Sequence, residues 1–219
     1  MVKLSPANLN LLRDCPRCFW LHQVQGIKRP QGPMASIAVG LDSKIKAYCN
    51  TYRASGALPP LLKDKLPGRL IERLPPSFSW VDETLKATLW GKLDDCLQLG
   101  GSVYAPLDHK TRASKAADVH PAYQLQMDCY TLLLERNQLP TAKQAFLVYY
   151  FPKAGALHDG FPFAVDVKPL DTDLDRAYEM FRQAVEILRQ PEPPPSSDAC
   201  AYCAWLKMMT SDALVKGDR

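Results

Sequence analysis

The chain has 219 residues, 47% of them apolar and 23% charged, with a formal net charge of +4 at neutral pH. That balance excludes a disordered or fibrous chain and leaves length for a single domain, residues 1–219, with a substantial core. No apolar run approaches the ~18 residues of a membrane span, and the opening MVKLSPANLN lacks the apolar stretch of a secretory signal, so a cytoplasmic protein with no membrane partner is expected.

The charge is unevenly spread. Residues 1–73 hold twelve Lys/Arg against four Asp/Glu, a local +8, and the remainder carries −4. A basic N-terminal third suits a polyanion such as DNA or is a solvated surface with no partner. Ser5-Pro6 predicts entry into a helix over about 5–14, and a second helix is expected over about 36–54. Pro59, Pro60, Pro67, Pro75 and Pro76 then interrupt the chain. Strands are expected over about 86–98 and 102–110, joined through Gly100-Gly101, followed by a helix over about 120–137. Two more strands over about 144–151 and 162–168 lead to a helix over about 172–189, entered through Asp171 or Thr172. The run Gln190 to Ser197, which holds four of the nineteen prolines, is a stiff connector. The expected class is α/β, and no internal repeat is visible.

The strands carry the first chemical signal, Trp90-Gly91-Lys92-Leu93-Asp94-Asp95 and Pro106-Leu107-Asp108-His109-Lys110-Thr111. Side chains alternate along a strand, so Asp108 and Lys110 share a face and His109 points away. If the strands pair, Asp94 reaches the same face, and two carboxylates meet one ammonium. Such oxygen ligands suit Mg²⁺ or Mn²⁺. Alternatively the pattern is a hairpin with a cross-strand ion pair worth ~0.2–1 kcal/mol. Asp95, pointing to the opposite face, is at best a supporting residue. On the next helix Gln126 and Tyr130 stand at i and i+4 and share a face. Tyr130 fits an apolar stripe with Tyr123, Met127 and Leu134, but a glutamine on that stripe needs hydrogen-bond partners.

Cys15-Pro16-Arg17-Cys18 and Cys200-Ala201-Tyr202-Cys203 are two C-x-x-C pairs near opposite ends of the chain. Seven cysteines in a reducing compartment point away from disulfides, and four thiolates in two such pairs suit zinc or an iron–sulfur cluster. Residues 1–30 and 191–206 are expected to form this metal-centre subregion, with Phe19-Trp20 and Trp205 as shielding rings and 207–219 as a C-terminal tail. Cys49, Cys96 and Cys129 read as buried small hydrophobes. His22, His109, His120 and His158 do not cluster, and His120 is expected to cap its helix or lie at the surface. No catalytic Ser-His-Asp set and no phosphate-cradling Gly-rich loop is present, which excludes protease, kinase and ATP-driven helicase chemistry.

Gly91-x-x-Asp94, then Asp108-x-Lys110-Thr111, then Gln126-x-x-x-Tyr130, in that order and spacing, resemble the PD-(D/E)xK nuclease superfamily. Within it they look like the RecB-like branch that includes the CRISPR-associated iron–sulfur exonucleases, and the likeness spans about residues 5–206. The resemblance implies a restriction-endonuclease-like core, a central mixed sheet flanked by helices, with the N- and C-terminal segments joined by the four-cysteine centre. It implies Mg²⁺ or Mn²⁺ on Asp94 and Asp108, Lys110 as the catalytic lysine, and Gln126 and Tyr130 orienting that lysine or touching the DNA backbone. Cys15, Cys18, Cys200 and Cys203 would hold a [4Fe–4S] cluster. The relatives often place one cysteine before the core and three after, whereas this chain divides them two and two, which leaves Zn²⁺ as the alternative.

Many relatives carry a metal-binding histidine on the early helix, where this chain reads Gly40-Leu41-Asp42-Ser43-Lys44. Asp42 is then a third carboxylate ligand, or an N-capping or surface residue. The expected activity is a metal-dependent DNA nuclease on single-stranded or end-bearing DNA, with Arg13, Arg17, Lys28 and Arg29 tracking the backbone and protein partners in defence, repair or recombination. The rival expectations are a non-catalytic nucleic-acid-binding or partner-binding module on the same fold, and a zinc-stabilised protein-interaction domain.

Overall fold

The computed structural model describes residues 1–30, 32, 36–158 and 160–210. A short strand β1 (Val2–Leu4) leads into helices α1 (Pro6–Asp14) and α2 (Pro16–Gln25). Ser5 caps α1 in a reciprocal capping box with Asn8. Cys15 ends α1 and caps α2 in one extended residue, φ −163°, with Pro16 placed where a helix needs no N–H. Gly26, φ 70°, closes α2 in the left-handed conformation that glycine adopts without penalty.

After α3 (Ser36–Arg53) come β2 (Arg69–Leu70), β3 (Phe78–Asp82), β4 (Ala87–Gly91), β5 (Asp95–Gly100) and β6 (Val103–Thr111). Helix α4 (Pro121–Arg136), strands β7 (Gln144–Pro152) and β8 (Phe163–Asp171), and helices α5 (Leu174–Leu188) and α6 (Ala201–Thr210) complete the chain. The main sheet runs β2-β5-β6-β7-β8 and is mixed, because β6 and β7 are parallel while the other pairs are antiparallel. Strands β1, β4 and β3 form a second sheet, with β1 parallel to β4.

Alternation along β7 shows how the main sheet is covered. Ala145, Leu147 and Tyr149 belong to the core beneath α1, α4 and α5, and Phe146, Val148 and Tyr150 to a second core that takes in Ile45, Tyr48 and Cys49 of α3. Both faces are buried, so the strand reads as a continuous apolar run. Helix α4 is the hub, packing on β3, β4, β6, β7, α1 and α5. The expected α/β class, a mixed sheet between helices, is what the chain forms, and the cysteine pairs bring its two end segments together.

Several elements depart from the sequence expectations. The strand expected over 86–98 is two strands in different sheets, broken at residues 92–94. The break follows from packing, since the ring of Tyr130 lies against Gly91 and its hydroxyl holds the Lys92 carbonyl. Helices α2 and α6 and strands β1, β2 and β3 were not expected. The strands are too short for a periodic signal, and the helices begin inside the C-x-x-C pairs. Residues 207–210, expected in the tail, continue α6, and residues 211–219 lie outside the described residues. Among the described residues no helix is long and apolar enough to cross a membrane.

Candidate active site and metal centre

Asp108 sits in mid-β6 on the α4 face of the main sheet, 1% exposed. Its Oδ1 accepts from Gln126 Nε2 at 3.2 Å, and that amide also donates to the Tyr130 hydroxyl at 2.9 Å. Tyr130 in turn donates to the Lys92 carbonyl at 2.9 Å. The i, i+4 spacing on α4 thus links β6 to the β4–β5 connection. Gln126 and Tyr130 bond to Asp108 and the Lys92 carbonyl rather than to Lys110. The other Asp108 oxygen, Oδ2, is held by the Lys110 ammonium. Lys110 Nζ also stands over the Tyr123 ring, 4.9 Å from its centroid. Burial pushes the Asp108 carboxyl up to about 6, with the like charge of Asp94 adding to the rise and Lys110 offsetting part of it.

Asp94 lies in the β4–β5 connection, one residue before the ladder whose first pair is Asp95 with Leu107, which brings it opposite Asp108. Its Oδ2 accepts from the His109 backbone N–H at 3.3 Å, and its Oδ1 meets Lys46 Nζ at 2.7 Å. Lys46 also pairs with Asp42 one turn earlier on α3, at 2.9 Å. Asp42 is therefore joined to Asp94 through an ammonium, and Asp42, Asp94 and Asp108 do not form a three-oxygen group within 4.8 Å. Nothing in the sequence pattern singled out Lys46, although its i, i+4 spacing from Asp42 is visible there. The buried Asp108 carboxylate, beside that of Asp94, offers the oxygen donors that a hard divalent cation such as Mg²⁺ or Mn²⁺ takes.

The opposite face of the same strands is buried. Asp95, 1% exposed, takes a two-pronged ion pair from Arg53, both bonds 2.9 Å, and Arg53 also donates to the Ile71 carbonyl. His109 points away from Asp108, as alternation requires, with Nδ1 at 3.0 Å from the Tyr150 hydroxyl and Nε2 at 3.9 Å from Cys49 Sγ. Burial holds its imidazole below the ordinary histidine range, and burial pushes the Cys49 and Cys96 thiols up to about 12. Cys49, Cys96 and Cys129 are buried thiols. His120 caps α4, Nδ1 accepting from the Ala122 N–H at 3.1 Å.

Cys15, Cys18, Cys200 and Cys203 meet at the junction of α2 and α6, each pair straddling the start of its helix, where the helix dipole favours thiolate. The sulfurs are 3.5 Å apart for Cys18–Cys203, 3.8 Å for Cys18–Cys200 and 3.9 Å for Cys15–Cys203. Burial raises the Cys15 thiol, but N–H groups of Cys18 and Ser197 bring it to about 7. Four buried thiols at this spacing form a site able to bind a metal. The rings differ from expectation. Leu11 and Tyr202 pack on the sulfurs, Phe19 and Trp20 join the main core, and Trp205 is half exposed. Arg29 donates to Cys200 Sγ at 3.5 Å, and Arg13 and Arg29 both meet Asp14 beside a cavity of about 460 Å³ next to Cys200. Arg17 and Lys28 are exposed on the same segment.

No curated protein matches the chain. The crystal structure of SSO0001 is similar over 88% of this chain and 79% of that chain, at 14% identity and a TM-score of 0.46. The family model of the PD-(D/E)XK nuclease superfamily matches residues 58–208, a span that contains Asp94, Asp108, Lys110, Gln126 and Tyr130. Nucleases of this superfamily typically use divalent metals, in keeping with the carboxylates on β6 and the β4–β5 connection. By that match the chain belongs to the PD-(D/E)XK nuclease superfamily.

Proposed function

We propose that the protein is a metal-dependent DNA nuclease that hydrolyses phosphodiester bonds, of the RecB-like kind, acting on single-stranded or end-bearing DNA. The observation that carries this reading is the buried Asp108 carboxylate, one oxygen held by Gln126 and the other by the Lys110 ammonium. Asp108 and Asp94 would hold Mg²⁺ or Mn²⁺, which when bound would supply a more acidic water and an electrophile for the scissile phosphate. Lys110 orients the attacking water and offsets the charge growing on the phosphate. Gln126 and Tyr130 keep Asp108 and the Lys92 carbonyl in register. Arg13, Arg17, Lys28 and Arg29 neutralise backbone phosphates as a sequence-independent surface.

For the cysteine centre we favour a single Zn²⁺. Ligands ~2.3 Å from a tetrahedral ion stand about 3.8 Å from one another, the spacing the sulfurs have. A [4Fe–4S] cluster interposes four irons and four sulfides and needs its thiolates further apart. Its role is to tie the chain ends together. Zinc, iron and sulfide analysis of anaerobically purified protein separates the two: one zinc per chain supports this reading, and four irons with four sulfides overturn it.

The nuclease reading is tested with labelled single- and double-stranded DNA and Mn²⁺. Wild type is expected to cut, and Asp108→Ala and Lys110→Ala to abolish cutting with the circular dichroism spectrum unchanged. Salt-sensitive DNA binding without cleavage under any divalent ion overturns it in favour of a binding module, and cleavage retained in both variants overturns the site assignment.

A further inference from the structure

We infer that Lys46 is a built-in cation that restricts the active site to one divalent ion; this rests on the nuclease reading above. Asp42 and Lys46 lie one turn apart on α3, and the face they share is turned toward the β4–β5 connection. The Lys46 ammonium stands 2.9 Å from Asp42 Oδ2 and 2.7 Å from Asp94 Oδ1. It therefore occupies the place between two carboxylates that a second divalent ion of a two-metal site requires, since such ions share ligands and stand ~3.5–4 Å apart. The second Asp94 oxygen is already engaged by the His109 N–H. The Asp108 carboxylate pairs with Lys110 rather than with Lys46.

Charge makes the same point. An ammonium sharing a carboxylate with a divalent ion repels that ion and withdraws part of the carboxylate's negative charge from it. The ammonium is carried by a helix and is present in every molecule at any ion concentration. It delivers one positive charge where a second ion delivers two. Lys46 also lines a cavity of about 340 Å³ together with Asn50, Arg53, Lys92 and Asp94. A phosphate oxygen entering there meets the Lys46 and Lys92 ammonium groups, the role the second ion plays in two-metal enzymes.

The experiment is a Mn²⁺ titration of the full-length protein, with its cysteine centre loaded, followed by calorimetry and by the electron paramagnetic resonance of free Mn²⁺. Wild type is expected to bind one Mn²⁺ per chain outside the cysteine centre, and Lys46→Arg, which keeps the charge, to do the same. Lys46→Gln is expected to bind a second ion or to tighten the first by about tenfold. Asp108→Asn is expected to lose the ion. Two ions in wild type, or a Lys46→Gln titration identical to wild type while Asp108→Asn loses binding, overturn the role of Lys46 and leave the nuclease reading standing. Binding that survives Asp108→Asn overturns both. Thermal melts establish that each variant is folded; Lys46 is 36% exposed at its side chain and its replacement leaves the core untouched.

Discussion

Gly91→Ala probes the packing that builds the candidate active site. A methyl group at this position would lie 2.8 Å from Cε1 and 3.2 Å from Cδ1 of Tyr130, and 3.0 Å from Cδ1 of Leu133. Carbon atoms in contact stand ~3.5–4.0 Å apart, so the Tyr130 ring has to retreat by close to an ångström. It has little room, because Tyr130 and Leu133 are buried on α4. Overpacking of this kind costs about 1–3 kcal/mol, and weakening the bond from the Tyr130 hydroxyl to the Lys92 carbonyl adds about 1 kcal/mol. A loss of about 2–4 kcal/mol corresponds to a fall in Tm of roughly 5–12 °C for a chain of this length. Because Tyr130 accepts from Gln126, which holds Asp108, Mn²⁺-dependent cleavage is expected to fall with it. Gly40→Ala is the control. It sits in α3 with nothing within 4 Å of the added methyl, so it is expected to stabilise by about 0.5–1 kcal/mol. Urea and thermal unfolding with a cleavage assay read both. A Gly91→Ala protein as stable and active as wild type would refute the view that the bare Cα at 91 is what admits Tyr130.

Arg53→Ala leaves the Asp95 carboxylate buried without its two-pronged partner, and the expected loss is about 3–5 kcal/mol by urea unfolding. Adding Asp95→Asn should recover part of it, and single variants within about 0.5 kcal/mol of wild type would count against the pair. Asp108 predicts a pH dependence. Its carboxyl titrates near 6 in the folded chain against 3.8 as the ordinary value, raised first by burial and then by Asp94. A raised folded pKa contributes stability that is complete below the ordinary value and lost as pH rises through the folded one. Without added divalent ion, Asp108→Asn should therefore exceed wild type in stability by on the order of 3 kcal/mol near neutral pH. The gap should close as the pH falls toward 4; a gap independent of pH would refute the assignment.

Local periodicity made much of the site legible before any fold was known. Alternation on β6 put Asp108 and Lys110 on one face and His109 on the other, and the helical repeat put Gln126 beside Tyr130. These are relations within a few residues, set by backbone geometry alone. The C-x-x-C pairs were legible as a ligand spacing within four residues. Three-dimensional packing decided the rest. The break between β4 and β5 comes from a tyrosine ring 39 residues later on α4, and it determines where Asp94 stands. Lys46 reaches Asp94, and Arg53 reaches Asp95, across α3, with no sequence period connecting them. The close approach of the four sulfurs exists only where α2 meets α6. Short-range order follows from the repeat of the backbone, whereas which charges meet depends on how both faces of a sheet are covered.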